Sequence, residues 1–465
     1  MTDTTSNPRH ARPYTSVLDT IGWTPLIRLN RVTDGARTPV FAKAEFFNPG
    51  GSVKDRIGLA MIEAAEAEGR LRPGGTVVEG TSGNTGIGLA IAAAIRGYRC
   101  IFTMPDKMSQ EKVRLLKAFG AEVIVTPTAV PPDHPDNYIQ MAKRIVRETP
   151  GAILADQFYN DVNPRAHFET TGPEIWAQTD GRVTHVIGSA GTGGTLTGVG
   201  RYLKERNPRI RIIAGDPVGS IYAHYHTTHE KLQGAPYKVE GIGGDKLPDT
   251  LDFDIIDAFH AVTDREAFHM GRRLTREEGL FVGGSSGVNV TIGVRLAREL
   301  NDPDALIVCF LPDTGERYLS KMYDDEWLRE HRLLEPERMT AGDMLARKDG
   351  PDIPLVAVAP GASNREALLL VTKHDISQVP VCTEDRCLGS VSESSLMARV
   401  IEDPSILDQP VDVLMDAPLP IIDANAPMSG VGRLLNRQTP AVLVRADGRF
   451  IGIITRYDVV RYLTA

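Results

Sequence analysis

The feature that most constrains the fold is an alternation, between residues 40 and about 325, of short apolar runs with longer amphipathic stretches. The run TVVEG is followed by GIGLAIAAAIRG, and RCIFTMP is followed by KVRLLKAFG. Because the short runs are typical of buried strands and the longer stretches of helices, the alternation predicts an α/β domain with a parallel sheet and helices on its faces. In such a domain, ligands bind in the loops that follow the strands.

Composition narrows the class of protein. The 465 residues are enough for two or three domains, and 42% hydrophobic with 24% charged residues is ordinary for a globular protein. A net charge of −8 argues against nucleic acid as a partner. No run approaches the roughly 18 apolar residues of a membrane helix, so we expect no membrane association. The N-terminus lacks the apolar stretch of a signal peptide, and four cysteines are too few for a disulfide scaffold, which together predict a cytoplasmic location.

The chain divides into five stretches. Two segments near the C-terminus resemble each other weakly: ISQVPV and LGSVS in the first correspond to QTPAVLV and IGIIT in the second. Each is too short to bury a good core alone, so the two repeats are expected to pack together. We therefore predict a disordered arm (1–13), an α/β domain (14–327), a linker (328–339), and the repeats at 340–400 and 408–465.

The first chemical motif is a lysine in the segment NPGGSVKDR, directly before the helix-compatible run IGLAMIEAAEAEG. Lys54 should therefore lie at a helix start, where the positive end of the helix dipole disfavours the ammonium form. A free amine is what a lysine needs to form a Schiff base with an aldehyde cofactor. A solvated surface lysine is the ordinary alternative, and the remaining motifs argue against it.

The second motif, TSGNTG at residues 81–86, follows the strand TVVEG and opens a helix. Backbone N–H groups and hydroxyls in such a turn form a natural seat for a carboxylate. Asn84 could also hydrogen-bond a phenolic oxygen. A simple helix N-cap explains the same residues about as well.

The third motif, GTGGT at residues 191–195, lies between a strand and a helix, which is the arrangement that cradles a phosphate. A dinucleotide site is the competing interpretation, since Asp216 ends the next strand at about the expected distance. The third glycine of the dinucleotide fingerprint would fall at Leu196, however, so a cradle for a single phosphate fits better.

The fourth motif, GGSSG at residues 283–287, also precedes a helix. The hydroxyl of Ser285 can bond a pyridine nitrogen without holding it protonated, as an aspartate would. A weakly protonated ring is a milder electron sink, which favours chemistry at the β-carbon of an amino acid over transamination.

In this order the four motifs resemble those of the fold-type-II pyridoxal phosphate enzymes, in the branch that contains cystathionine β-synthases and cysteine synthases. The resemblance implies that Lys54 forms the Schiff base with pyridoxal 5′-phosphate and later removes the substrate's α-proton. It implies that Asn84 contacts the 3′-oxygen and that Ser285 contacts the pyridine nitrogen. The residues implied for the phosphate are Gly191, Thr192, Gly193, Gly194 and Thr195, and those implied for the substrate are Thr81, Ser82, Gly83, Thr85, Gln157, Glu240 and Gly241.

Two reactions fit this resemblance. One is the hydro-lyase reaction of L-serine with L-homocysteine to give L-cystathionine, and the other joins O-acetylserine and sulfide to give cysteine. Glu240 in VEGIGGD favours the first, because its branch carries an acidic residue near the incoming thiol. Phe158 and Gly244 favour the second, because they replace tyrosines common in the first branch.

The tandem repeat decides for the first reaction, since it resembles a pair of CBS domains. By that resemblance, Thr455 and Asp458 of GIITRYD hold S-adenosylmethionine or, as second choice, an adenine nucleotide. The first repeat has a serine in place of the aspartate, so one competent site is expected. A purely structural dimerisation module and a catalytically inactive adenosine sensor are the alternatives. Both halves resemble dimerising folds, which predicts a homodimer or homotetramer.

The sequence indicates neither a haem nor a metal site. Some relatives carry a haem on an N-terminal extension, but no cysteine precedes Cys100 here, so no haem is expected. The segment HYHTTHE at residues 224–230 resembles a metal-ligand cluster, but no second ligand group accompanies it. We therefore expect a polar loop and no metal.

Overall fold

The computed structural model describes residues 13–81, 83–106, 108, 110–131, 133–334, 339–349, 355–383, 386–436 and 439–464. Nearly all of the predicted arm, residues 1–12, lies outside the described residues. The chain divides into two compact units, with the division between Leu334 and Glu335.

The strands of the first unit form two sheets, in agreement with the predicted α/β class. One sheet has the order β1-β2-β10-β7-β8-β9, and only β1 runs antiparallel to its neighbour. The other, β5-β4-β3-β6, is parallel throughout. The strands are β1 (Leu26–Arg28), β2 (Val40–Ala44), β3 (Thr76–Gly80), β4 (Arg99–Pro105), β5 (Glu122–Thr126), β6 (Ala152–Leu154), β7 (His185–Ser189), β8 (Arg211–Pro217), β9 (Ala258–Val262) and β10 (Ile307–Leu311).

Helices follow most of these strands, as the alternation predicts. They are α1 (Lys54–Ala67), α2 (Asn84–Arg96), α3 (Gln110–Ala118), α4 (Tyr138–Glu148), α5 (Val162–Ala166), α6 (Gly172–Gln178), α7 (Gly194–Arg206), α8 (Tyr222–Thr228), α9 (Asp264–Glu278), α10 (Gly284–Leu300) and α11 (Asp325–Glu330).

Two glycines bring α1 and α2 into backbone contact, which matters for the position of Lys54. A Cβ at Gly88 would lie 2.5 Å from the carbonyl oxygen of Lys54, and a Cβ at Gly58 would lie 2.3 Å from the backbone of Gly88. Any larger residue would push the helices apart. The start of α1 is therefore held against the start of α2.

The first unit continues past the predicted boundary at residue 327. Leu328 is buried, and Leu333 and Leu334 pack partly buried against the same core. Residues 328–334, which were expected to begin a linker, therefore belong to the first unit.

The second unit contains two similar halves. The first half has a hairpin of β11 and β12, and the second has the three-stranded sheet β13-β14-β15. The elements of this unit are α12 (Ala341–Asp349), α13 (Asn364–His374), β11 (Gln378–Cys382), β12 (Cys387–Ser392), α14 (Glu393–Glu402), β13 (Ile421–Asp423), α15 (Met428–Leu434), β14 (Ala441–Ala446), β15 (Arg449–Thr455) and α16 (Arg456–Thr464).

The two halves share apolar packing. Met344 and Leu345 of α12, which opens the first half, are buried with Val442 and Ile454 of the second half. A further cluster joins the hairpin of the first half to β14. The repeats therefore pack together as expected, and helix α12 of the first half is buried against the second half. Among the helices of the described residues, none is long and apolar enough to cross a membrane.

Candidate active site

A cavity opens in the first unit at the carboxyl ends of β7 and β10, next to the starts of α1, α2, α7 and α10. Four loops that are far apart in the sequence meet there, from both sheets of the first unit: α2 follows β3 of one sheet, and α7 follows β7 of the other. The carboxyl ends of parallel strands are where such folds bind ligands. The predicted residues in its wall are Lys54, Asn84, Gly191, Thr192, Gly193, Thr195, Glu240, Gly241 and Ser285.

Lys54 is the first residue of α1, as predicted. Burial lowers the pKa of its ammonium group to about 8. The direction agrees with the prediction, and desolvation is the cause that the structure shows. A large fraction of the side chain is an uncharged amine at mildly alkaline pH, which is the nucleophilic form.

The turn before α2 is closed by Thr81. Its hydroxyl accepts hydrogen bonds from the backbone N–H groups of Gly83 (3.0 Å) and Gly86 (3.3 Å). The hydroxyl of Thr85 donates to the side-chain oxygen of Gln157. Thr81, Gly83, Thr85 and Gln157 thus form the support of the cavity wall and do not line the cavity, and Ser82 lies outside the described residues.

Asn84 lines the cavity, but both ends of its amide are engaged. Its nitrogen donates to Oδ2 of Asp313 at 2.7 Å, and its oxygen accepts from Arg317. Asp313 follows β10 and also accepts from the hydroxyl of Tyr318 at 2.6 Å. These contacts fix the orientation of Asn84, so one face of the amide is presented to the cavity in a defined position.

The three glycines of the loop before α7 have no room for a side chain. Gly193 has φ +83°, and a Cβ on it would lie 2.4 Å from Leu251. A Cβ on Gly191 would lie 2.4 Å from the carbonyl oxygen of Gly241, and one on Gly194 would lie 2.0 Å from Asn163. The loop therefore exposes backbone at the N-terminus of a 13-residue helix, which is where an anion binds. Gly194 itself supports the loop from outside the cavity wall.

The hydroxyls of the loop are oriented by neighbours that the sequence did not suggest. Thr192 accepts from the amide of Asn163 at 3.0 Å, and Thr195 lies 3.1 Å from Nε2 of His167. Burial, with the nearby cations of Arg56 and Lys54, holds the pKa of His167 well below its usual range, so this imidazole is neutral. A neutral ring leaves the loop's own dipoles to attract an anion.

The competing dinucleotide interpretation depends on Asp216, which does not line the cavity. Its carboxylate accepts from the backbone N–H of Ala223 at 2.9 Å, and burial raises its pKa to about 6. The structure therefore gives Asp216 a role in holding the start of α8.

Ser285 lies in the first turn of α10 and is 5% exposed. Asp313 also lines the cavity, and its buried Oδ1 has no hydrogen-bond partner among the described residues. Unsatisfied buried polar atoms are uncommon in folded proteins. The amine of Lys54, the amide of Asn84, the glycine loop and the hydroxyl of Ser285 together fit a phosphorylated pyridine aldehyde.

Glu240 is held by two cations that the sequence did not indicate. Lys112 and Lys321 both bond to its carboxylate. Burial alone would raise the pKa of Glu240, but these ammonium groups outweigh it, and the pKa is lowered. Glu240 is consequently an anion fixed in the cavity wall.

Gly244 stands where members of the first branch commonly have a tyrosine. The space beside it is occupied by a tyrosine from another element. A Cβ on Gly244 would lie 2.3 Å from the hydroxyl oxygen of Tyr222, the first residue of α8. That hydroxyl donates to the carbonyl of Gly191 at 3.0 Å. The phenol near this loop therefore comes from a position that no local motif marks.

In the second unit, residues 455–458 form a turn that we call the ligand turn. Oδ2 of Asp458 accepts from the N–H (2.8 Å) and hydroxyl (2.7 Å) of Thr455 and from Lys348 (2.9 Å). The N–H of Asp458 donates back to the hydroxyl of Thr455 at 3.2 Å, which is a helix capping box.

Comparison with protein families covers both units. Residues 17–313 match the family described as pyridoxal-phosphate dependent enzyme. Residues 350–402 and 411–465 each match the CBS domain. The class of the first unit and the nature of the repeats are thereby confirmed.

Individual relatives agree. Cystathionine β-synthase of Oryctolagus cuniculus is 42% identical, over 83% of this chain and 71% of the relative. That of Saccharomyces cerevisiae is 37% identical over 99% of this chain and 100% of the relative. A solved structure, O-ureido-L-serine synthase, superposes with a TM-score of 0.62 and 39% identity, covering 68% of this chain and 100% of its own.

Proposed function

Because the chain belongs to the cystathionine β-synthase family of pyridoxal-phosphate-dependent enzymes, we propose that it condenses L-serine and L-homocysteine to L-cystathionine and water. The observation that carries the proposal is the meeting of four separate loops around one desolvated lysine. It is a lyase of the carbon–oxygen class, and pyridoxal 5′-phosphate is its cofactor.

The residues around the cavity are suited to hold that cofactor. We assign Lys54 to the aldehyde carbon, Asn84 to the 3′-oxygen and Ser285 to the ring nitrogen. The phosphate is assigned to the backbone of the loop and its two hydroxyl residues, Gly191, Thr192, Gly193, Gly194 and Thr195. When bound, the cofactor supplies an electron sink for negative charge at the substrate's α-carbon.

Lys54 is the residue we assign to proton transfer. Its amine takes the proton from the α-carbon of serine, which requires an uncharged nitrogen, and burial provides that form near pH 8. The ammonium group that results is then available to protonate the departing serine hydroxyl, which is a poor leaving group when unprotonated. A single residue thus serves as base and then as acid.

The substrates are assigned to the turn that supports the wall at the start of α2 and to the part of the wall that contains Glu240 and Gly241. The turn of Thr81, Ser82, Gly83 and Thr85, with Gln157 behind it, is proposed to bind the substrate carboxylate through the N-terminus of α2. Glu240 and Gly241 are proposed to lie beside the incoming homocysteine. Lys112 and Lys321 bond to the two carboxylate oxygens of Glu240, so its side chain is held in a fixed position in the wall.

Product identification tests the reaction. Purified protein with pyridoxal phosphate is supplied either with serine and homocysteine or with O-acetylserine and sulfide, and the products are measured by mass spectrometry. Faster formation of cystathionine supports the proposal. Faster formation of cysteine would overturn it and would mean that Phe158 and Gly244 report the preferred substrate.

For the second unit, we propose that Thr455 and Asp458 bind S-adenosylmethionine or an adenine nucleotide and that binding modulates turnover. The family match and the enclosure of Asp458 by Lys348 support this assignment. We also propose a homodimer or homotetramer in the cytoplasm, with CBS domains at 340–400 and 408–465. Sedimentation analysis with each ligand tests the assembly.

A further inference from the structure

Two of the four cysteines face each other across the hairpin of the second unit. Cys382 is the last residue of β11 and Cys387 is the first residue of β12, and they are direct partners in the antiparallel register. Both are free thiols and both are partly exposed, whereas Cys100 and Cys309 are buried in the first unit. The pair therefore differs from the other cysteines in having a thiol neighbour and access to solvent.

The hydrogen bonding at the hairpin end decides the geometry of the pair. The N–H of Thr383 donates to the carbonyl of Arg386 at 2.8 Å, so these two residues are a hydrogen-bonded pair. The next pair along an antiparallel ladder is a non-hydrogen-bonded pair, in which the Cα atoms approach to about 4.5 Å. A disulfide needs Cα atoms about 4.4–6.8 Å apart, and a non-hydrogen-bonded pair falls within that range. The strands shift register between Val381 and Cys382, but Cys382 with Cys387 and Thr383 with Arg386 share one register, so the shift does not separate the cysteines.

The two side chains lie on the same face of the hairpin, because residues directly opposite each other across two strands point to the same side. Burial, together with the neighbouring Cys387 thiol, raises the pKa of Cys382 to about 12, and the Cys387 thiol donates to the carbonyl of Gly389 at 3.3 Å. The N–H of Cys382 donates to the carbonyl of Val358 at 3.0 Å, on the side away from β12, which holds the strand in place.

We propose that Cys382 and Cys387 form a reversible disulfide within one chain by exchange with a small-molecule disulfide. One thiolate attacks a sulfur of the external disulfide and releases one thiol. The second cysteine then loses its proton and attacks the mixed disulfide, which releases a second thiol and closes the hairpin bond. The protein loses two hydrogens and two electrons, and the external disulfide is reduced to two thiols.

The bond has a local consequence within the second unit. Cys382 and Cys387 pack against Leu419 and Leu443 of the second repeat, so the hairpin end belongs to the packing between repeats. Closing it fixes that end of the hairpin in its present geometry. The redox state of the surrounding thiols thereby acts on the unit that carries the ligand turn.

Mass spectrometry of the full-length protein tests the proposal. The reduced protein is treated with oxidised glutathione at pH 8, freed of reagent and digested without reductant. Trypsin cuts after Arg386 and so separates the two cysteines, which means that a disulfide joins two tryptic peptides. We expect these peptides to be joined, the intact mass to fall by two hydrogens, and dithiothreitol to reverse both changes.

Variants exclude other origins of the signal. Cys382→Ser and Cys387→Ser should each prevent the linkage and retain a glutathione adduct, and Cys100→Ser should leave the linkage unchanged. A lasting adduct on the wild-type pair, a disulfide between chains, or unchanged free thiols after treatment would each overturn the proposal. None of these readouts depends on the reaction of the first unit.

Discussion

The cavity of the first unit and the ligand turn of the second treat their buried charges differently. In the cavity wall, burial lowers the pKa of Lys54 to about 8, and Oδ1 of Asp313 has no hydrogen-bond partner among the described residues. At the ligand turn, Thr455 and Lys348 donate three hydrogen bonds to one oxygen of Asp458. The cavity is incomplete without a ligand, whereas the turn satisfies itself.

Because of that difference, the cavity is stronger evidence for a bound ligand than the ligand turn is. An unsatisfied buried polar group costs about 1–3 kcal/mol, so a site that retains one gains when a ligand supplies the missing partner. A capping box, in contrast, stabilises a helix with no ligand. Similar boxes occur elsewhere in the described residues, at Ser16 with Asp19, Thr263 with Glu266, and Thr340 with Asp343.

The largest effect is expected at Lys54, the desolvated lysine of the cavity wall. Lys54→Ala should lower the rate of cystathionine formation by at least about 10³-fold, because it removes both the covalent anchor and the proton carrier. Initial rates measured by mass spectrometry check this. Lys117→Ala, on the exposed side of α3, is the matched control and should behave as wild type. Activity within tenfold of wild type in Lys54→Ala would show that Lys54 is not the catalytic residue of this cavity.

A smaller loss is expected when the support of Asn84 is removed. Asp313→Ala deletes the acceptor for Asn84 (2.7 Å) and Tyr318 (2.6 Å), which frees the amide to rotate. Misplacement of this kind lowers kcat/KM by about 10²-fold. Tyr318→Phe removes one of the two contacts and should cost less. If both variants keep full activity while folded by circular dichroism, the orientation of Asn84 does not matter.

The parts of the site that could be predicted from the sequence are those whose residues are neighbours in the chain. Each motif of the cavity lies in one loop and the start of the helix that follows it, so its position follows from the fold class. Lys54 at a helix start and the glycine loop before α7 were predicted on that ground, and the structure has both. The CBS pair was predicted from repetition of short apolar runs, and the family comparison confirms it.

Contacts between distant residues explain the rest. Lys112 and Glu240 are 128 positions apart, and Asn84 and Asp313 are 229 positions apart, so their pairing depends on how two sheets pack and leaves no local pattern. Tyr222 beside Gly244 is a similar case, because its phenol occupies the space that a side chain at position 244 would need. The segment after residue 327 was assigned to a linker since its charged residues outnumber the few leucines that anchor it.

The pH dependence of cofactor attachment tests whether burial in the cavity lowers the pKa of Lys54. The lowered pKa of about 8 means that the reactive amine of Lys54 falls about tenfold for each pH unit below that value and reaches a plateau above it. Stopped-flow absorbance of apoprotein mixed with pyridoxal phosphate measures this rate. A lysine-containing peptide is the control and should plateau only near its ordinary value of 10.5. A protein profile that matches the peptide would show that burial does not tune this amine.

The smallest effect on turnover is expected at the ligand turn. Asp458→Ala should leave basal cystathionine formation unchanged, because its partners are Thr455 and Lys348 of the same unit. It should cost the second unit about 1 kcal/mol of stability through loss of the cap, and it should abolish binding of S-adenosylmethionine and AMP in calorimetric titrations.

Asp343→Ala separates the two roles of such a carboxylate. It deletes the equivalent group of the capping box at Thr340, so it should cost similar stability while ligand binding persists. If both variants lose binding equally, the loss reports a weakened fold and the ligand turn has no special chemistry. If Asp458→Ala still binds as wild type does, the turn is only a helix cap, and any adenosine ligand of the second unit binds to other residues.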